Sequence, residues 1–259
     1  MLANPAVMTY ILKGVVFTLV IAVLAVAVSL VAGSVLALVR NYCGAAWPAR
    51  PTPGSVLRWA LARLAYTLAT AYIEIFRNTP LLLWIFICTV FCPCPALFAR
   101  KLFGLTSVET KLLFKAAVAL ILFTSAVVAE IIRGGLNAVA KGQFEAGHSQ
   151  GFSTLQIMLY IVLPQAYRSV IPTLLSQVIT TIKDSSYLAN VATIELMSRV
   201  KKMLSSAYLY NGTGAVNVSD VFVLFGLACV IYFVVNFALS CTVRRLQHGS
   251  RRPRTAVRG

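Results

Sequence analysis

The chain of 259 residues is 59% apolar and only 12% charged, against about a quarter charged in an average soluble domain, so an ordinary soluble fold is excluded. A net charge of +16 comes with no stacking platform and no nucleic-acid motif, so nucleic acid is excluded as a partner and the basic residues are read as topology signals and contacts to anionic lipid.

Four clean apolar runs, residues 15–39, 80–98, 112–132 and 221–243, each come near the roughly 20 residues that a helix needs to cross a bilayer. In lipid only helices and closed barrels satisfy their own backbone, and these runs are too long for alternating barrel strands, which predicts an all-α membrane protein. In chain order, residues 1–12 are a short extracytoplasmic lead. The first helix is 13–39; its apolar run is preceded by a single lysine, Lys13, and ends without a small-residue cleavage site, so it is read as retained and not as a signal peptide. Residues 40–54 form a loop rich in proline, glycine and arginine.

From 59 to 91 the apolar region is too long for one straight crossing, and Pro80 removes a backbone donor within it, so a kink or break is expected at 78–80. Residues 92–111 read as a loop opened by Cys92-Pro-Cys-Pro. A crossing at 112–132 ends on Glu130 and Arg133. A polar stretch at 141–164 leads to a more polar crossing at 166–190, interrupted by Pro172. Residues 197–220 are read as loop, 221–243 as the last crossing and 244–259 as a basic tail.

Five crossings put the termini on opposite faces. One face then carries Arg40, Arg50, Arg58, Arg63, Arg133, Lys141, Arg168 and the arginines of the tail, more than the other face holds. The positive-inside rule therefore places the 141–164 loop and the C-terminus in the cytoplasm and the N-terminus outside. The membrane domain is 13–243.

No sequence pattern for nucleophilic, metal-assisted or nucleotide chemistry occurs: Gly-x-Ser-x-Gly, His-Glu-x-x-His and the phosphate loop are all missing. No catalytic residue, cofactor or metal is predicted, and scattered cysteines with two distant histidines suggest no metal centre. Ionisable groups within apolar segments face protein or a watery path. Glu74 and Arg77 sit i, i+3 on one helix face and either neutralise each other or meet a substrate. Lys183-Asp184-Ser185-Ser186 offers both charge signs and two hydroxyls, suited to interrupting a helix and binding a zwitterion.

In the polar stretch, a short helix from about 141 to 150 is expected, with Glu145 near its first turn where the helix dipole favours a carboxylate. Ala146, Gly147 and Gly151 let another protein approach closely, Gly151 lets the chain turn, Phe144 and Phe152 offer apolar anchors, and Pro164 ends the segment.

Glu145-Ala146-Gly147, three residues, Gly151, nine residues, Ile161, one residue, Leu163-Pro164 resembles the E-A-A-x3-G-x9-I-x-L-P loop of permease subunits in binding-protein-dependent ABC importers, with Gly147 in place of the second alanine. Arg77-Asn78-Thr79-Pro80-Leu-Leu resembles the R-G-T-P-L-L element of the polar amino-acid branch, and Lys183-Asp184-Ser185-Ser186-Tyr187 its K-D-T-S-L element. Asn78 replaces a glycine and Tyr187 a leucine.

The resemblance, over roughly residues 11–243, implies a type I ABC importer permease fold in a bacterial plasma membrane. It implies a pair of permeases, identical or sister, two ATPase subunits and an extracytoplasmic solute-binding protein. A polar amino acid (glutamine, glutamate, aspartate or a basic one) would be the cargo. Glu145, Ala146, Gly147, Gly151 and Pro164 would couple to the ATPase, and Glu74, Arg77, Lys183, Asp184, Ser185 and Ser186 would line the substrate path. The rival readings are an ion-driven secondary transporter using Glu74, Glu130 and Asp184 as relays, and a receptor or assembly subunit without transport.

Overall fold

A computed structural model describes residues 5–44, 53–101, 104–191, 193–207 and 215–250, and these form helices and connections with no strand. The helices are α1 (Pro5–Tyr42), α2 (Pro53–Arg77), α3 (Leu81–Phe91), α4 (Ser107–Asn137), α5 (Lys141–Ser149), α6 (Thr154–Gln156), α7 (Leu163–Asp184), α8 (Leu196–Ser205) and α9 (Val218–Ser250). Four runs are long and apolar enough to cross a membrane: Pro5–Tyr42, Ser107–Asn137, Thr154–Val191 and Val218–Arg245. The pair Gly54–Arg77 and Leu81–Phe91 makes a fifth if it acts as one broken span. That agrees with an all-α membrane fold of about five crossings.

Local chemistry explains most boundaries. Pro5 and Pro53 open α1 and α2, where a missing N–H costs nothing. The helix therefore starts within the stretch read as a polar lead. The expected break falls at Asn78–Pro80, where the chain bends by 112° between α2 and α3. The apolar run 80–98 is not one helix: α3 stops at Phe91 because Pro93 and Pro95 cannot donate, and a 3-10 turn, Ala96–Ala99, follows. At the start of α4, Thr106 Oγ1 accepts from the Glu109 N–H at 3.2 Å and Glu109 Oε2 accepts from the Thr106 N–H at 3.0 Å. This capping box begins the helix several residues before the apolar run.

The stretch 197–220 is not all loop. Leu196, Val200 and Met203 repeat at helical spacing and are buried on α8. Residues 244–250, the start of the stretch read as a basic tail, continue α9. Residues 45–52 and 208–214 and those from 251 onward, within stretches read as loops and tail, lie outside the described residues.

The chain forms two compact units, residues 1–24, 85–118 and 175–259 in one, and 25–84 and 119–174 in the other. The first has a core of Ile11, Leu196, Val200, Met203, Leu224 and Ala228. The second is built around Ile73, Val128, Ile132, Ile157, Met158 and Val162, and it holds α5.

Candidate functional site

The nine-residue α5 follows Ala140, which supplies no side-chain cap. Glu145 therefore lies in the second turn and not the first, and the dipole argument loses force because that field fades within one turn. Phe144 is half-buried against the core of its unit and Gly147 is fully buried, while Lys141, Glu145, Ala146, His148 and Ser149 are exposed. One face of α5 is thus glued to the protein and the other is free. Gln165 Nε2 donates to Gln143 Oε1 at 3.2 Å, tying α5 to the start of α7.

Gly147 is held by space: a Cβ there would stand 2.7 Å from Ile157 Cγ1, and Ile157 is fully buried. Gly151 is held by conformation, with φ +79° and open space around it. The Phe152 N–H donates to Gly147 O at 3.1 Å and the Gly151 N–H to His148 O at 2.9 Å. That pair of bonds is a Schellman turn, which closes α5 and requires the left-handed residue. Ser153 at once caps the next helix in a capping box with Gln156. Phe152 is exposed, unlike Phe144.

Pro164 does not end the segment. The turn before it, Ile157–Val162, is a π-turn in which the Leu163 N–H reaches Met158 O. Such a widened turn accommodates a ring that cannot donate and that crowds the carbonyl four residues back. Helix then runs unbroken from Thr154 to Val191, and Pro172 lies inside α7 without interrupting it.

Glu74 and Arg77 do not pair with each other. Arg40 Nη2 reaches Glu74 Oε1 at 2.7 Å and Arg40 Nη1 reaches Glu130 Oε2 at 3.0 Å. Arg77 lies 3.6 Å from Glu130, and Arg133 Nε donates to Glu130 Oε1 at 3.0 Å. Three guanidiniums from α1, α2 and α4 thus converge on two carboxylates, with Glu130 as the hub. Asn78, where the resembled family has glycine, donates its amide to both Glu74 O at 2.8 Å and Glu74 Oε2 at 3.2 Å, closing the end of α2.

Helix type changes within Lys183–Ser186: α7 stops at Asp184 and a 3-10 helix, Ser185–Val191, takes over. Ser185 is fully buried and donates back to Ile182 O at 2.8 Å. Lys183 and Ser186 instead line a cleft of about 260 Å³ with Met197, Phe225, Cys229 and Tyr232. Asp184 is half-buried. The hydroxyl pair is therefore split: Ser186 faces open space and Ser185 serves the fold.

Two residues escaped the sequence reading. Glu195 is fully buried and caps α8, accepting from the Met197 N–H at 2.8 Å and the Ser198 N–H at 2.6 Å, with Tyr232 Oη 3.3 Å away. Burial pushes its carboxyl up to about 7, against the pull of these donors. Arg199 donates to Ile194 O at 2.9 Å and Tyr10 O at 3.0 Å and lies over the Tyr10 ring. The apolar period of α8 was the available signal.

A family profile described as "Binding-protein-dependent transport system inner membrane component" matches residues 54–252. The chain is 38% identical over 193 residues to the "Probable glutamine ABC transporter permease protein GlnP" of Bacillus subtilis, covering 74% of this chain and 79% of that one. It is 33% identical to the "Glutamate/aspartate import permease protein GltK" of Escherichia coli, covering 68% and 70%. In fold it is similar to an amino acid ABC transporter solved with histidines, at a TM-score of 0.68 with 24% identity, covering 93% of this chain and 94% of that one. An inward-facing MetNI methionine transporter gives a TM-score of 0.64.

Proposed function

Because the chain belongs to the family of binding-protein-dependent transport system inner membrane components, we propose that it is the membrane-spanning subunit of an ATP-driven importer for a polar amino acid. It is a multi-pass protein of the bacterial inner membrane, and its partners include an ABC ATPase and a solute-binding protein. In our reading the ATPase sits on the cytoplasmic face in two copies, a second permease, identical or sister, completes the pathway, and the C-terminus is cytoplasmic with the N-terminus outside. The glutamine, glutamate and aspartate named for the relatives set the cargo class.

The observation that carries the coupling role is α5. It is a nine-residue helix with an exposed Glu145 face, pinned on its other face through Gly147 and sealed by Gly151. A rigid exposed helix, seated on the same core as α4 and the start of α7, passes a push from a partner into those elements, and that is a two-state element biased from outside. Lys183 and Ser186 are assigned to the substrate path, with Asp184 beside them; Glu74 and Arg77 act there only through the arginine–carboxylate cluster.

Reconstitution with the ATPase and binding protein tests this. ATP-dependent uptake of a polar amino acid is expected, with Glu145→Lys and Gly151→Asp lowering uptake and ATPase stimulation while membrane insertion stays normal. Undiminished uptake in both variants would remove α5 from the coupling path. Uptake driven by an ion gradient without ATPase would favour a secondary transporter.

A further inference from the structure

The cleft of about 260 Å³ beside Lys183 and Ser186 is one end of a longer groove. A second cleft, of about 440 Å³, shares Lys183, Cys229 and Tyr232 with it and continues along α9 past Asn236 to Ser240. On α9 the residues Phe225, Cys229, Tyr232, Asn236 and Ser240 recur at steps of three and four, so they form one helix face. From Phe225 to Ser240 that face is about 22 Å long. Every lining residue belongs to the unit that includes residues 175–259.

The polar groups of the groove are few and incompletely paired. Asn236 Nδ2 donates to Tyr232 O at 2.7 Å. A carbonyl can only accept, so the amide turns its nitrogen there and its oxygen away, and Oδ1 is left buried with no hydrogen-bond partner among the described residues. The Lys183 ammonium likewise makes no hydrogen bond or salt bridge among those residues, and Asp184, next in sequence, is the carboxylate that tempers its charge. Neither Asp184 nor the fully buried Glu195 lines the groove.

Depth limits what can meet these groups. Tyr232 is the middle residue of the apolar run 221–243, which puts it about 15 Å from either edge of the hydrocarbon. A lipid headgroup stays at the surface and does not reach it. An unpaired acceptor and a cation at that depth are costly unless a polar guest comes to them.

We propose that the groove between α7 and α9 holds an amino acid by its main-chain groups, the carboxylate on Lys183 and the ammonium on Asn236 Oδ1, and that it admits neutral and acidic side chains and rejects basic ones. A zwitterion supplies both missing partners at once: an anion for a lysine that has none within hydrogen-bond reach, and N–H donors for an oxygen that can only accept. Charge sets the selection. A basic side chain would add a second cation to a groove that Lys183 already charges and that no carboxylate lines, whereas an acidic one is drawn to Lys183 and an amide can bond to the Ser186 or Ser240 hydroxyl. The inference rests on the importer reading and deepens it, by making Asn236 a cargo contact and by narrowing the cargo class.

Cys229 lines both clefts and is exposed, so the native protein carries its own reporter. The wild-type permease, assembled in vesicles with its ATPase and binding protein and without ATP, is treated with N-ethylmaleimide, and mass spectrometry follows modification of Cys229 and, as a reference outside the groove, Cys241. Excess glutamine, glutamate or aspartate should slow the alkylation of Cys229 and not of Cys241, and arginine should slow neither. Asn236→Leu should raise the concentration needed for protection about tenfold, the loss expected for a hydrogen bond to a charged group. Asn236→Gln, which keeps the acceptor, should recover part of it, and Lys183→Met should weaken protection as Asn236→Leu does.

The wild-type arm needs no substitution and decides by itself. ATP-driven uptake of these amino acids with no protection of Cys229 overturns the groove site and leaves the importer reading standing; protection without ATP-driven uptake does the reverse. Equal protection by arginine, or slowing of both cysteines alike, overturns the proposal. So does a Cys229 that is unreactive before any amino acid is added, because lipid or protein then fills the groove. Protection unchanged in Asn236→Leu removes the asparagine from the site.

Discussion

Ile157 fills the space that a side chain at Gly147 would need, with its Cγ1 2.7 Å from the position of the missing Cβ. The resembled loop pattern carries alanine at this position, so the glycine here is matched to the isoleucine opposite. Gly147→Ala gains up to about 1 kcal/mol of helix propensity but overpacks a buried contact at about 1–3 kcal/mol. Net destabilisation is expected in thermal unfolding. The penalty should shrink in an Ile157→Val background, where the shorter side chain can yield; equal penalties in both backgrounds would mean that the contact does not decide it.

Gly151 poses the opposite case, since nothing crowds it and only its φ of +79° excludes a side chain. Gly151→Ala should cost about 1–2 kcal/mol, and Gly151→Asn clearly less, because asparagine tolerates the left-handed region. Unfolding midpoints of the two variants, measured side by side, check the order. Equal losses would point to a contact and not to the backbone.

What the sequence made legible were features written in consecutive residues. The length of α5, the turn at Gly151 and the break at Asn78–Pro80 each follow from one or two residues acting on their own backbone. Features decided across helices were not legible in this way. Glu74 and Arg77 have the right spacing to pair, yet Arg40 from α1 takes the carboxylate and Glu130 takes the guanidinium. Pro164 carries a stop signal that a widened turn cancels. The start of α4 at Thr106-x-x-Glu109 and the buried face of α8 are written in short capping and periodicity signals and not in long apolar runs.

Glu130 accepts from Arg40 and Arg133 and lies near Arg77, while Glu74 is bonded to Arg40 alone among the arginines. Glu130 is also the less exposed, at 22% against 45%. Removing the hub leaves three guanidiniums with Glu74 as the one remaining carboxylate of the cluster, so Glu130→Gln should destabilise by about 2 kcal/mol, between the costs of breaking exposed and buried ion pairs. Glu74→Gln should cost less. Chemical unfolding of both variants in detergent tests the ranking, and a larger loss at Glu74 would contradict it.

Within Lys183–Ser186 the division of labour predicts different readouts. Lys183→Gln and Ser186→Ala should raise the KM for uptake with little change in unfolding, since both line the open cleft. Ser185→Ala should lower stability by about 1 kcal/mol, the net worth of a buried hydrogen bond, and leave KM unchanged. A KM effect at Ser185 equal to that at Ser186 would overturn the assignment.

Glu195 ties stability to pH. Its carboxyl titrates near 7 in the folded protein against an ordinary 4.5, because burial penalises the charge more than two backbone donors and Tyr232 favour it. Arg199 and Lys201 on α8 are the nearby cations and Tyr232 faces it from α9. Below 4.5 both folded and unfolded chains hold the proton and nothing is lost. Between 4.5 and 7 the unfolded chain releases its proton while the folded one keeps it, so stability from this group falls as pH rises, by up to roughly 3 kcal/mol, and levels off above 7. Glu195→Gln removes the titration. Its amide oxygen can accept one cap bond but its nitrogen cannot accept the other, so the variant should be less stable by about 1 kcal/mol at pH 5 and should lack this component of the wild-type decline between pH 5 and 8. Unfolding midpoints across that range, taken on both proteins, decide it; a variant as pH-dependent as the wild type would assign the decline to other groups.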